Sequence, residues 1–189
     1  KAMGKDDPEV AAVALEKLRG EGIDIREGAK AASISGEAGA ITVSLEGGGA
    51  VEGTHLLLAV GRAANVDRLN LEAAGIEHSG RGVTVDKGLR SVSNRKVYAI
   101  GDVAGGLQFT HVAGYQAGLV IRSALFRLPV TNRTDLIPWV TYTDPEVAHV
   151  GLTEAEAREA HGDAVETARF DYAGNDRARA ELKTDGFAK

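Results

Sequence analysis

The stretch Val97-Tyr98-Ala99-Ile100-Gly101-Asp102-Val103 decides the fold class of this 189-residue chain. Its first four residues show no polar alternation, which predicts a strand buried on both faces of a sheet. In open α/β sheets, ligands bind beyond the carboxyl ends of the strands, and a glycine there lets a flat ligand approach the backbone. An aspartate at that point can accept hydrogen bonds from a polyol. Gly-Asp also closes strands as a simple turn, so both interpretations stay open.

A second apolar run, Leu56-Leu57-Leu58-Ala59-Val60, ends in the same way at Gly61-Arg62 and predicts another central strand. After the first strand end, residues 112–128 have the composition of a helix. The segment 107–111, with the polar residues Gln108, Thr110 and His111, precedes it, where free backbone amides and a partial positive charge suit an electron-rich ligand. His111 alone is weak support, because a histidine at a helix start is more often a cap or packing residue.

The flanking segments predict alternating helices and strands. Asp6-Asp7-Pro8-Glu9 is typical of a helix start, and Thr153-Glu154-Ala155-Glu156 fits a capping box for a helix ending near His161. The segments at 29–35 and 41–45 predict an antiparallel meander, and Gly47 to Gly49 predict a hairpin turn rather than a phosphate loop. Further strands are predicted at 23–25, 83–85, 139–142 and 165–172.

Composition excludes several classes of function. The chain is 43% hydrophobic with a formal net charge of −5, which favours a packed core and gives no electrostatic reason to bind nucleic acid or an anionic membrane. It contains no cysteine, which excludes a disulfide, a thiolate nucleophile and a cysteine-rich zinc site within these residues. No histidines stand at metal spacing, and the longest aliphatic run has far fewer than the roughly 20 residues of a membrane span. We therefore expect a cytoplasmic protein without a metal site.

Three motifs in the same order resemble those of the flavin-dependent pyridine nucleotide–disulfide oxidoreductases, in the branch of dihydrolipoamide dehydrogenase and mercuric reductase. Residues 57–65 are similar to the motif that closes the NAD(P) domain, and residues 97–103 to the second flavin motif. Residues 137–154 are similar to the opening of the dimerisation domain. Ala64 departs from the family's usual proline, and residues 90–93 carry one extra residue before the flavin strand.

The resemblance implies roles for individual residues. Asp102 would bind the ribityl chain of FAD, and Gly101 would allow its approach. Residues 108–111, which are Gln108, Phe109, Thr110 and His111, would lie against the isoalloxazine ring. There the helix N-terminus would stabilise negative charge. Gly61 would border the nicotinamide of NAD or NADP, and Ala31 would lie near the adenosine. No catalytic residue is assigned within the chain.

The resemblance also implies an α/β organisation of partial Rossmann-like domains followed by the start of an α+β dimerisation domain. Residues 1–62 would belong to the NAD(P)-binding domain, 63–136 to the FAD-binding domain and 137–189 to the dimerisation domain. Both Gly-x-Gly-x-x-Gly fingerprints, the redox dithiol and the His and Glu acid/base pair of the family are absent from the 189 residues. We therefore expect an internal piece of a longer, homodimeric enzyme.

The expected function is transfer of hydride from a nicotinamide through flavin to a dithiol, and then to a disulfide or a metal ion, with no turnover by this chain alone. The alternative is a non-catalytic dimerisation or assembly module without flavin. A nucleotide-binding sensor is a third, weaker interpretation.

Overall fold

The computed structural model describes all 189 residues. In chain order the elements are α1 (Pro8–Gly20), β1 (Ala31–Glu37), β2 (Ala40–Leu45), β3 (Ala50–Gly53), β4 (His78–Ser79), β5 (Gly82–Val83), α2 (Thr110–Phe126), β6 (Trp139–Thr141), β7 (Val147–His149), α3 (Glu154–His161), β8 (Phe170–Asp171), α4 (Asp176–Ala180) and β9 (Phe187–Ala188). Short 3-10 turns lie between them, including one at Gly101–Ala104. Contacts group the chain into a first unit of residues 1–59 with 140–189 and a second unit of residues 60–139.

Helix α1 of the first unit begins where the sequence predicts. The Asp7 carboxylate accepts the backbone N–H of Glu9 at 3.0 Å, and Pro8 occupies the first helical position, where its missing N–H costs nothing. The buried residues of the helix are Ala11, Ala14 and Leu15. This helix packs near β7 in the same unit.

Strands β1 and β2 overlap the predicted segments 29–35 and 41–45 and pair antiparallel as predicted, whereas β3, which pairs with β2, was not predicted as a strand. Ile34 pairs with Val43, which pairs with Val51 on the next strand, so one apolar row crosses the sheet. Glycines 47 to 49 form the predicted turn between β2 and β3, all with positive φ. The strand predicted at residues 23–25 is absent, because no neighbouring segment pairs with it.

The rest of the first unit is built from short elements. Thr153 caps α3 through both bonds of the predicted capping box. The strand predicted at 165–172 is wrong for most of its length. Only Phe170 and Asp171 pair, because their partner β9 has just two residues.

The second unit has a small apolar core. It comprises Ala64, Val66, Leu71, Ile76, Val83 and Ala99. The two-residue strands β4 and β5 pair at its edge, and isolated bridges join Val85 to Ser91 and Arg90 to Tyr98. Helix α2 buries Val112, Gln116 and Leu119, which recur at helical spacing along one face.

The two predicted central strands are not strands in the structure. Residues 56–60 have no paired neighbour, and Leu57 and Val60 are 88% and 94% exposed. Residues 97–100 make only the single bridge at Tyr98. Residues 97–100 exchange backbone hydrogen bonds with residues 89–91, from the Ala99 amide to Leu89 and from the Ser91 amide to Val97, but this pairing does not extend into a strand. A strand requires a second segment to supply its hydrogen bonds, and no segment of these 189 residues pairs with residues 56–60.

No helix in the structure combines the length and apolar character required to cross a membrane.

Candidate functional site

The turn at Gly101–Ala104 is the first part of the candidate site. Gly101 adopts a φ of +65°, in the left-handed region that favours glycine. A Cβ at this position would lie 2.9 Å from the Cβ of Ala113, so the turn contacts α2 closely only because residue 101 has no side chain. The next residue, Asp102, is exposed, and its carboxylate has no partner within the chain. Its oxygens are therefore available to hydrogen-bond donors of a ligand.

The N-terminus of α2 is the second part of the site. The residue before the helix, Phe109, is extended and provides no side-chain cap. The amides of Thr110 and His111 therefore have no acceptor within the chain, as expected for the first residues of an uncapped helix. Unpaired amides at the positive end of the helix dipole attract an electron-rich or anionic group.

His111 is held by two contacts beside these amides. Its Nε2 lies 2.8 Å from the carbonyl oxygen of Pro138, and its ring stacks on Phe109 with centroids 5.4 Å apart. Because a carbonyl only accepts, Nε2 carries the proton of this hydrogen bond, and Nδ1 is the acceptor in the neutral ring. These contacts agree with the interpretation of His111 as a packing residue. They also fix the orientation of its ring beside the start of α2.

The loop before α2 joins the two parts of the site. Leu107, Gln108 and Phe109 are half-buried, whereas Thr110 is exposed. The turn at Gly101–Ala104 also lies close to Gly82, where a Cβ would be 2.3 Å from the carbonyl oxygen of Val103. The structure thus brings together six of the residues singled out in the sequence: Gly101, Asp102, Gln108, Phe109, Thr110 and His111.

The remaining two predicted residues lie elsewhere. Gly61 belongs to the second unit, is exposed and has a φ of +134°, with no atom close to where its Cβ would be. Ala31 is an exposed residue of β1 in the first unit.

A cavity of about 360 Å³ adjoins the start of α2. It is lined by His111, Tyr115, Arg133, Leu136, Ile137 and Pro138. The backbone N–H of Arg133 donates to the Tyr115 hydroxyl at 3.1 Å, and its guanidinium lies 2.9 Å from Asp135. The hydrogen bond from this guanidinium lowers the pKa of Asp135. Sequence reasoning missed Tyr115 and Arg133, because neither belongs to a motif.

Gln116 is the other residue that the sequence did not reveal. It is only 3% exposed, and its side-chain oxygen Oε1 accepts the backbone N–H of Gly101 at 2.6 Å. The only sequence signal was an amide side chain on an otherwise apolar face of the helix.

The group of residues around Gly101 and α2 combines three features suited to binding a polar, electron-rich ligand. The carboxylate of Asp102 is free to accept hydrogen bonds from hydroxyl groups, and Gly101 has no side chain to block approach to its backbone. The unpaired amides at the start of α2 can face an electron-rich edge of a ring. No group of three or more His, Asp or Glu side chains is arranged to hold a metal ion.

Comparison with known proteins shows which class of protein this chain comes from, the nucleotide-dependent redox flavoproteins. The family model for pyridine nucleotide-disulphide oxidoreductases matches residues 1–117, and the model for the dimerisation domain of the same family matches residues 137–189. The chain belongs to the pyridine nucleotide-disulphide oxidoreductase family. The resemblance stated from the motifs is confirmed, as is the α/β fold class. The family consists of oxidoreductases that use FAD and NAD(P)H.

Individual relatives agree with this assignment. A mercuric reductase from Bacillus cereus is 34% identical over 186 residues, covering 97% of this chain and 29% of the relative. A dihydrolipoyl dehydrogenase from Rhizobium etli is 36% identical over 193 residues, covering 99% of this chain and 40% of the relative. The chain thus spans well under half the length of these curated relatives.

Solved structures show the same similarity in three dimensions. The crystal structure of LpdA from Mycobacterium tuberculosis matches 96% of this chain with a TM-score of 0.86 at 30% identity, over 39% of its own chain. The HOCl-induced flavoprotein disulfide reductase RclA from Escherichia coli matches 98% of this chain with a TM-score of 0.85 at 29% identity, over 42% of its own chain.

Proposed function

We propose that this chain contributes to an FAD-dependent, NAD(P)H-linked oxidoreductase that passes hydride from nicotinamide through flavin to a dithiol and then to a disulfide or metal-ion acceptor. One observation carries the proposal. An unpartnered Asp102 carboxylate and the uncapped start of α2 lie on either side of one loop within the second unit. When bound, FAD would supply the capacity to accept hydride and pass electrons on.

Asp102 and Gly101 would hold the sugar-like part of the cofactor. A carboxylate accepts hydrogen bonds from neighbouring hydroxyls, and hydrogen bonds to a charged group are stronger than those between neutral groups. The exposed Asp102 carboxylate has no competing partner in the chain. Because Gly101 has no side chain, the cofactor could approach the backbone at this position closely.

The loop from Gln108 to His111 would lie against the ring system. The free amides of Thr110 and His111 and the positive end of the helix dipole favour negative charge on the ring. Gly61 would border the nicotinamide, and Ala31 would lie near the adenosine.

The proposed domain organisation keeps the boundaries expected from the motifs, with residues 1–62 in the NAD(P)-binding domain, 63–136 in the FAD-binding domain and 137–189 in the dimerisation domain. The contact units of the structure change at residues 59–60 and 139–140. Both changes fall within three residues of a proposed boundary, while residues 1–59 and 140–189 share one contact unit.

The chain by itself would have no turnover. It contains no cysteine, so it has no thiol to receive electrons from a flavin. NAD(P)H-dependent reduction of lipoamide or Hg(II) by the purified chain would contradict this part of the proposal.

Assembly is a second candidate function, favoured by the match of residues 137–189 to the dimerisation domain of the family. The proposed partner is a second copy of the same polypeptide, as in a homodimeric enzyme. Size-exclusion chromatography with light scattering separates the two candidates. A specific dimer that binds no flavin would favour the assembly module.

The flavin proposal is tested by titrating the chain with riboflavin and FAD, following the quenching of flavin fluorescence. Binding that weakens about tenfold or more in Asp102→Asn supports it, because a hydrogen bond to a charged group is worth roughly 1.5–3 kcal/mol. Asp67→Asn removes the same charge from an exposed position in the same unit and is expected to leave binding unchanged. Equal affinities of wild type and Asp102→Asn would contradict the assigned role.

A further inference from the structure

Gln116 is a polar residue on a buried face. Its neighbours on that face of α2 are Val112 and Leu119, and only 3% of Gln116 is exposed. A buried amide side chain is stable only when hydrogen-bonded. Gln116 is bonded to the backbone of a segment 15 residues earlier, at Gly101.

The amide of Gly101 needs this bond. It is the first amide of the Gly101–Ala104 turn, and the residue before it, Ile100, has no side-chain oxygen to cap the turn. Gly101 is buried, so water does not replace the missing cap. A buried amide without an acceptor destabilises the folded state. Gln116, which lies outside the turn, supplies the acceptor.

The same face of α2 contacts the turn twice. Ala113 lies so close to Gly101 that a Cβ on the glycine would be 2.9 Å from the Ala113 Cβ, and the Gln116 side chain accepts the Gly101 N–H. Residues 113 and 116 are neighbours on one side of the helix, one turn apart. The turn therefore has one closely packed contact and one directional bond to α2, and together they set its position.

We infer that Gln116 is a positioning residue that locks the turn bearing Asp102 to the helix whose N-terminus presents the amides of Thr110 and His111. It touches no ligand itself. Its effect is to hold the carboxylate and the free amides in a fixed relation, so that both reach one flavin at once. The inference rests on the proposed function only in naming flavin as the group that Asp102 faces.

The test combines hydrogen exchange with flavin binding. Gln116→Leu keeps the volume of the side chain and removes the acceptor, whereas Gln116→Glu keeps an acceptor oxygen at the same reach. We expect Gln116→Leu to accelerate exchange of the Gly101 amide about tenfold or more and to weaken riboflavin binding about tenfold, and Gln116→Glu to retain protection. Leu119→Ala, which removes a neighbouring buried side chain without touching the bond, is the control for general loss of stability.

The outcomes are distinct. Wild-type protection of Gly101 in Gln116→Leu, or loss of protection in Gln116→Glu equal to that in Gln116→Leu, overturns the inference. Equal acceleration in Leu119→Ala also overturns it, because the effect would then be general. Should Gln116→Leu not fold, protection of Gly101 in Gln116→Glu decides the same question. If wild type binds no flavin, the proposed function fails, while the exchange rates still decide the role of Gln116.

Discussion

The ammonium of Lys189 lies 2.6 Å from Oε2 of Glu154, at the start of α3. It also lies 3.1 Å from Asp7 and 3.1 Å from Glu9, at the start of α1. A single lysine thus joins the last strand to the beginnings of two helices in the first unit. The Lys189 side chain is 14% exposed and that of Asp7 is 10% exposed, so this pair is shielded from water better than an ordinary surface pair, whereas Glu9 is 57% exposed.

Removing the lysine leaves three carboxylates without their shared cation. We expect Lys189→Met to lower the Tm by roughly 2–4 °C, the shift that about 1 kcal/mol produces in a protein of this size. Lys183→Met is the matched control, because Lys183 is exposed and makes no ion pair. Thermal unfolding followed by circular dichroism measures both. An equal Tm for the two variants would contradict a stabilising role for the cluster.

The same cluster predicts a dependence of stability on pH. The hydrogen bonds from Lys189 and Arg158 lower the pKa of Glu154. Burial alone would raise the pKa of Asp7, but hydrogen bonds from Lys189 and the Glu9 amide outweigh it, and the net shift is downward. Carboxyls with a lowered pKa in the folded state stabilise it above their unfolded pKa of about 4, and this stabilisation is lost as the pH falls below that value.

The Tm difference between wild type and Lys189→Met should therefore shrink as the pH falls from about 5 to about 3. The Lys189 pKa is raised by the hydrogen bond from its ammonium to Glu154, so its own contribution persists through the neutral range and is lost only in strong alkali. Thermal unfolding at a series of pH values measures the difference. A difference that stays constant down to pH 3 would show that the carboxylates do not act through Lys189.

The cap of α3 predicts a separate loss of stability. Thr153 Oγ1 accepts the N–H of Glu156, and the Glu156 carboxylate accepts the N–H of Thr153 at 2.8 Å. Thr153→Ala removes the first bond, and we expect a loss of about 0.5–2 kcal/mol in urea denaturation. Thr167→Ala changes an exposed threonine outside any helix and should have little effect. Equal urea midpoints for the two variants would show that the cap does not contribute.

Two glycines near the candidate site predict opposite responses to the same substitution. Gly101→Ala places a Cβ at a left-handed φ and 2.9 Å from Ala113, and we expect a loss of about 1–3 kcal/mol. Gly114 lies inside α2 with open space around its absent Cβ, so Gly114→Ala should be neutral or stabilise by up to about 1 kcal/mol. Urea denaturation compares them, and a Gly101→Ala variant as stable as Gly114→Ala would contradict the close approach of turn and helix.

Features set by neighbouring residues were predictable from the sequence. The caps of α1 and α3 depend on residues two or three positions apart, and the meander on alternation within short segments. The start of α2 was predicted within two residues, because the helical composition begins at Val112 and the structure begins the helix at Thr110.

Features that depend on distant segments were not predictable. The apolar run at 56–60 has the composition of a buried strand. A strand also needs a neighbouring segment to pair with, and no segment of the chain pairs with this run. The bond from Gly101 to Gln116 spans 15 residues and exists only because α2 packs against the turn. Arg133 and Tyr115 meet in the same way through the fold, at a separation of 18 residues.

The flavin site is tested most sharply by mapping backbone amide chemical shifts in the isotope-labelled chain as riboflavin is added. Because NMR detects weak binding, it suits a chain that would contact only part of the cofactor. We expect the amides of Gly101, Asp102, Thr110 and His111 to shift most, and to shift less in Asp102→Asn. Shifts confined to other residues, or none at saturating riboflavin, would contradict the assignment of a flavin to this site.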